Sequence, residues 1–157
     1  MVMVGALLIG ISYQARRNFS AHGRVSLSGN GNHVDLLRYL HGKRILVVED
    51  DPLIALDLKA TLEHASVVVL GPAGRVRDAM LLAEKSLSVA AVLDVRLEVG
   101  TSLPLAKWLA ERDIPFLFQT SDPNLIDAAY SAAPVLRKPF RPEQLIAAAA
   151  ALLAQER

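Results

Sequence analysis

Lys43-Arg-Ile-Leu-Val-Val-Glu-Asp-Asp-Pro52 decides the fold. Within it, Arg44–Val48 is a short apolar run rich in β-branched residues, of the kind that fits a strand buried on both faces. The run stops abruptly at three acids. Pro52 follows, a residue welcome in the first turn of a helix.

Outward from this segment the alternation repeats. Leu53, Leu56, Ala60 and Leu62 recur near helical spacing up to Glu63, and Val67–Leu70 is a second strand, ended by Gly71-Pro72. Val76–Ser86 is a helix with Val76, Ala79, Met80 and Ala83 on one side. Ala90–Leu93 is a third strand, Leu103–Arg112 a third helix, Pro115–Phe118 a fourth strand, Val135-Leu136 a short fifth, and Pro142–Gln155 an Ala/Leu-rich closing helix. Between Pro123 and Ala132 there is room only for a short or irregular fourth helix. Apolar strands alternating with helices predict an α/β domain, a doubly wound five-stranded parallel sheet covered on both faces by right-handed crossovers. The flavodoxin-like strand order 2-1-3-4-5 is the natural candidate, and it places a ligand site beyond the carboxyl ends of the strands.

Composition bounds the rest. A chain of 157 residues, 52% hydrophobic and 21% charged, holds one domain with a real core and some leftover. Cysteine is absent, which excludes disulfide scaffolds, thiolate zinc sites and thiol nucleophiles and agrees with a cytoplasmic location. The net charge of +1 hides an uneven split. Residues 1–43 carry five basic side chains against Asp35, whereas residues 44–157 carry twelve basic and fifteen acidic ones. With its apolar run Met1–Tyr13 and its Gly/Ser/Asn-rich stretch Ser26–His33, the first segment (1–43) reads as a flexible extension ahead of a domain at 44–157. A bilayer needs roughly 20 apolar residues, and a secretory signal wants its positive charge before the apolar stretch. Here the run is shorter and Arg16 and Arg17 follow it, so an inert extension is the first reading, with a packing piece or a weak anchor as alternatives.

The strand ends carry the chemistry. Glu49-Asp50-Asp51 follows the first strand, Asp94 the third, Gln119-Thr120-Ser121 the fourth and Arg137-Lys138-Pro139 the fifth. Carboxylates held close repel one another and raise each other's pKa unless a cation neutralises them. Oxygen ligands on a partly open site suit Mg²⁺. Asp51, just before Pro52, is read as a helix cap rather than a ligand.

Over residues 43–156 the sequence resembles the receiver domain of two-component response regulators. The resemblance rests on the opening block quoted above, on Ala91-Val-Leu-Asp-Val95, on Phe116-Leu-Phe-Gln-Thr-Ser121 and on Val135-Leu-Arg-Lys-Pro-Phe140. It implies that Asp94 accepts a phosphoryl group from a histidine kinase or a histidine phosphotransfer protein, and that Glu49 and Asp50 join it in binding Mg²⁺, with the Arg96 backbone carbonyl placed to complete the metal shell. Thr120 and Lys138 would contact the phosphoryl group, water would later hydrolyse the acyl phosphate, and the Lys138–Pro139 bond would be cis.

Several positions depart from the family's pattern. Glu98 stands where the acceptor loop usually has Pro, Gly100 comes early, and Val135 replaces an aromatic switch residue. Phe116–Ser121 is similar to the Phe-Ala-Thr-Gly-Tyr variant of single-domain receivers, with Gln119, Ser121 and Asp122 in place of Ala, Gly and Tyr. Dimerisation through a fourth helix is not expected. Arg96 and Asp122 flank the site and are candidates to pair across it.

The expected function is a stand-alone phosphoacceptor that signals by protein contact, since too little chain follows Gln155 to hold an output module. The alternative is a receiver-like interaction module without phosphate turnover. A haloacid-dehalogenase-type hydrolase expects a second Asp two positions after the nucleophile, where Arg96 stands. Flavin binding would want Gly, Ser and Thr where the first strand leads into acids. No basic recognition helix supports nucleic-acid binding, and membrane association is not expected.

Overall fold

The computed structural model describes residues 33–154 of the chain, and Met1–Tyr13 with most of the Gly/Ser/Asn-rich stretch lies outside the described residues. Five parallel strands, β1 (Arg44–Val48), β2 (Val68–Ala73), β3 (Ala90–Asp94), β4 (Phe116–Thr120) and β5 (Val135–Arg137), form one sheet in the order β2-β1-β3-β4-β5. The helices are α1 (His33–Leu40), α2 (Pro52–His64), α3 (Val76–Ser86), α4 (Leu103–Ala110) and α5 (Pro142–Ala154). This is the doubly wound architecture that the alternation predicts. No helix among the described residues is long and apolar enough to cross a membrane.

Strand alternation sorts the core into two layers. Ile45, Val47, Val92 and Leu117 face one way and pack with Leu58 and Leu62 of α2 and with Leu145, Ala149 and Leu152 of α5. Leu46, Val48, Leu93, Phe116 and Phe118 face the other way, onto Ala79 and Ala83 of α3 and Leu105 and Leu109 of α4. The central strands β3 and β4 are buried along their whole length, as apolar runs in a parallel sheet should be. The outer strands are not. Val68 of β2 and Val135 of β5 are exposed, because each lies at an edge of the sheet.

Three boundaries differ by two or more residues from those that periodicity predicts. The expected stop at Gly71-Pro72 does not end β2, which continues to Ala73 through a register shift against Leu46 and Val48. Gly71 makes this possible: its φ is 95°, and a Cβ there would sit 2.7 Å from the Ala73 nitrogen. The added length lets Ala73 accept from the Glu49 N–H at 3.0 Å, so the edge strand holds the first site residue by its backbone. Helix α4 stops at Ala110 rather than Arg112, because the chain turns through Asp113 at φ 55° and Ile114 donates back to Leu109 at 3.0 Å. Strand β4 runs two residues past Phe118, so Gln119 and Thr120 belong to the sheet rather than to the loop after it.

The extension needs a larger correction. Residues 33–40, placed by composition in a flexible leader, form α1, which packs on α5. Leu40 is fully buried in the α2/α5 layer and Leu37 packs against it. Gly42, at φ 69°, then donates to the Ser66 carbonyl at 2.8 Å and guides the chain into β1. Burying a leucine contributes roughly 1.5–3 kcal/mol, enough to hold a helix too short to persist alone. The structured unit therefore begins before Arg44.

The connection between β4 and β5 is irregular, as its length requires. Two 3₁₀ turns, Pro123–Leu125 and Ala128–Tyr130, replace a helix, and Asp122 and Asp127 cap them by accepting from Asn124 at 3.1 Å and Ala129 at 2.8 Å. Tyr130 anchors the segment edge-on against Phe116 and Phe118, with ring centroids 6.0 and 6.1 Å apart.

Candidate functional site

At the carboxyl end of the sheet the two layers part and a cleft of about 550 Å³ opens, lined among others by Glu49, Asp50, Asp94, Thr120 and Lys138. Sheet register sets its floor. Val48 pairs with Leu93 and Asp94 with Gln119, so Glu49, Asp94 and Gln119 stand level on three neighbouring strands. Their parity matches Val47, Val92 and Leu117, which puts all three on the α2/α5 side.

Glu49 is almost completely enclosed, and three donors hold it. The Asp51 N–H donates to Oε1 at 3.0 Å, while Gln119 Nε2 and Lys138 Nζ donate to Oε2 at 2.7 and 3.0 Å. Lys138 also lies 3.3 Å from Asp94 Oδ2, bridging the two carboxylates. Its own N–H donates to the Thr120 carbonyl at 2.9 Å, and the Lys138–Pro139 bond is cis, as the resemblance implies. Asp50 accepts from the Glu98 N–H, tying the end of β1 to the loop after Asp94. Asp51 acts as the cap expected of it, accepting from Leu53 at 2.9 Å and Ile54 at 3.2 Å.

The loop after Asp94 explains two departures from the family's pattern. Leu97 N–H donates to Gly100 O at 3.1 Å and Ser102 N–H to Val95 O at 3.0 Å, closing a tight turn that sets Arg96 opposite Thr101. Gly100 takes φ 77° there, which is why a glycine comes early. Glu98 contributes the N–H that grips Asp50, a donor that proline lacks. The Arg96 carbonyl takes part in neither bond of the turn, while its N–H lies near enough to the Asp94 carboxylate to favour the charged form.

Asp94 has its carboxyl raised above the ordinary 3.8. Burial is the main cause and the charge of Glu49 adds to it, while the charge and hydrogen bond of Lys138 and the Arg96 N–H pull the other way without cancelling it. Carboxylate oxygens of Glu49, Asp50 and Asp94 lie within 4.8 Å of one another, facing the single ammonium of Lys138. That surplus of negative charge on hard oxygen ligands fits a small divalent cation.

One expectation, a pairing of Arg96 with Asp122, is not met, and the Thr120 hydroxyl is engaged locally. Thr120 is buried, but its hydroxyl turns to its own loop, accepting from the Asp122 N–H at 3.1 Å, and no hydrogen bond joins it to Asp94. Among the described residues, no ion pair links Arg96 to Asp122. One participant goes unrecognised in the sequence: Gln119, fully buried, reaches past β3 to Glu49 while its own Oε1 finds no donor. An orphaned buried carbonyl costs about 1–3 kcal/mol, so the bond to the Glu49 carboxylate outweighs it in setting the amide's orientation. Extending β4 by two residues and applying strand parity would have pointed to it.

No family model matches the sequence. The Phyllosphere-induced regulator PhyR of Methylorubrum extorquens is 32% identical over 108 residues, covering 66% of this chain and 40% of that regulator's length. The solution structure of SdrG from Sphingomonas melonis Fr1 superposes with a TM-score of 0.63 at 41% identity, over 71% of this chain and 97% of SdrG. The non-phosphorylated HemR receiver domain of Leptospira biflexa does so with a TM-score of 0.63 at 30% identity, over 73% of this chain and 97% of that domain. Sheet order, the acidic cluster and near-complete coverage of two such domains converge on one conclusion: the chain belongs to the response-regulator receiver family.

Proposed function

We propose that the chain is a phosphoryl-accepting receiver in which Asp94 is the acceptor and a histidine kinase or histidine phosphotransfer protein is the donor. The observation that carries this reading is the sharing of one ammonium, Lys138, between Asp94 and the enclosed Glu49 beside an open cleft. A carboxylate oxygen of Asp94 attacks phosphorus, the P–O bond forms as the P–N bond of phosphohistidine breaks, and the imidazole leaves with a proton taken from solvent. Mg²⁺, when bound by Glu49, Asp50, Asp94 and the Arg96 carbonyl, would supply positive charge to the equatorial oxygens in flight. Lys138 supplies a second cation beside Asp94, and the Thr120 hydroxyl serves as donor once it turns from its loop. Water then hydrolyses the acyl phosphate, returning Asp94 and inorganic phosphate.

Signalling by contact with other proteins is the output this reading favours. Labelling with a small phosphodonor in the presence of Mg²⁺ tests the assignment. Wild type is expected to incorporate phosphate in an acid-stable, base-labile form that chelator prevents, and Asp94→Asn is expected to incorporate none. Stable labelling of Asp94→Asn would overturn it, and absence of labelling in wild type would favour an interaction module without phosphate turnover.

A further inference from the structure

Gln119 is wholly buried beside Glu49, yet the reading of Asp94 as phosphoacceptor gives it no task. The placement of donors around Glu49 suggests one. Oε2 receives two hydrogen bonds, from neutral Gln119 at 2.7 Å and from charged Lys138 at 3.0 Å, and the second donor is shared with Asp94 at 3.3 Å. A phosphoryl group on Asp94 adds negative charge on that side and draws the ammonium toward it. With Lys138 as its sole side-chain donor, Glu49 would either hold the lysine back or lose its orientation as the lysine left. A neutral amide competes for no phosphoryl oxygen in the way a cation does, and its orientation is fixed, since turning it would set Oε1 against the carboxylate.

We propose that Gln119 is a positioning residue: it holds Glu49 facing the metal position and so frees Lys138 for the phosphoryl group. The inference rests on the preceding reading of the site and adds a residue to it. Partners that orient a metal-ligating carboxylate typically change metal affinity by about 10–100-fold when removed.

The test uses the full chain with Gln119→Leu, which keeps the volume and removes the donor. Mg²⁺ affinity, measured by titration calorimetry on unphosphorylated protein, is expected to weaken roughly tenfold or more. Ser102→Ala, which deletes a buried hydroxyl that likewise has no partner, is expected to keep wild-type affinity. A purely structural role would shift the melting temperature and leave Mg²⁺ affinity alone. In wild type, the Gln119 side-chain NH₂ resonances are expected to stay hydrogen-bonded and protected as Mg²⁺ and then beryllofluoride are added. A folded Gln119→Leu with unchanged Mg²⁺ affinity overturns the inference, and so does loss of that protection in wild type, a result available even if the variant does not fold. If wild type itself binds neither Mg²⁺ nor beryllofluoride, the phosphoacceptor reading fails instead.

Discussion

Replacing Lys138 with methionine keeps most of the side chain's bulk and removes the cation between Glu49 and Asp94. Removing one member of a buried ion pair costs about 3–5 kcal/mol, because the other member stays behind uncompensated. Two features lower that figure here. The Lys138 side chain is 19% exposed, so water already carries part of its solvation, and Glu49 retains the Gln119 and Asp51 donors. A loss of about 2–3 kcal/mol in chelator at neutral pH is therefore expected for Lys138→Met. A divalent ion should restore part of it, because it answers the same surplus of carboxylate charge. Binding at a hundred times the dissociation constant adds about 2.7 kcal/mol. Urea unfolding with chelator and with saturating Mg²⁺ measures both quantities. The gain on adding Mg²⁺ is expected to be at least as large in the variant as in wild type. Equal stability of variant and wild type in chelator, or a variant that gains nothing from Mg²⁺, would refute the account of Lys138 as the counter-charge of the acidic cluster.

Two further predictions concern stability. Leu40→Ala should cost about 2–3 kcal/mol by urea unfolding, toward the lower part of the range for core leucines because α1 can shift on α5, while Tyr39→Ala on the exposed side should stay within about 0.5 kcal/mol. Equal effects would remove α1 from the folded unit. Asp94 binds its proton more tightly in the folded than in the unfolded chain, so its contribution is fully present below the ordinary 3.8 and is lost as pH rises through its raised folded value. Asp94→Asn should accordingly gain on wild type as pH rises from 3 toward 7 in chelator, and melting temperatures that run parallel across that window would contradict it.

Glu49, Asp50, Asp94 and Lys138 were legible because each lies within two residues of the end of an apolar run, and a parallel sheet puts its site where such runs end. Asp51 was legible as a cap because Pro52 marks the first turn. Gln119 was hidden by the same logic, since a polar amide after Phe118 reads as the end of a strand. Its burial depends on Glu49, distant in sequence, whose carboxylate gives the amide a partner. Helix α1 was hidden because an eight-residue helix beside a Gly/Ser/Asn-rich stretch owes its stability to α5 rather than to its own propensity. Gly71 signals a break by composition, and only the register against β1 turns that break into a bulge. The direction of the Thr120 hydroxyl is set by the Asp122 N–H, a choice of rotamer that no pattern of residue types records.

Gln119 and Thr120 are consecutive on β4, and strand alternation sends the first toward Glu49 and the second toward its own loop. A single inserted or deleted residue between Phe116 and Thr120 would exchange their sides, placing the hydroxyl beside Glu49 and the amide over Asp122. The segment from 121 to 134 is different in kind. Its first residues still belong to the site, since Ser121, Asp122 and Leu125 line the cleft, but residues 126–133 form no strand and line none of it, so residues can be gained or lost there with little effect on the cleft. Variation in length among relatives of this chain should therefore collect between Leu125 and Pro134 and be absent from Phe116–Thr120.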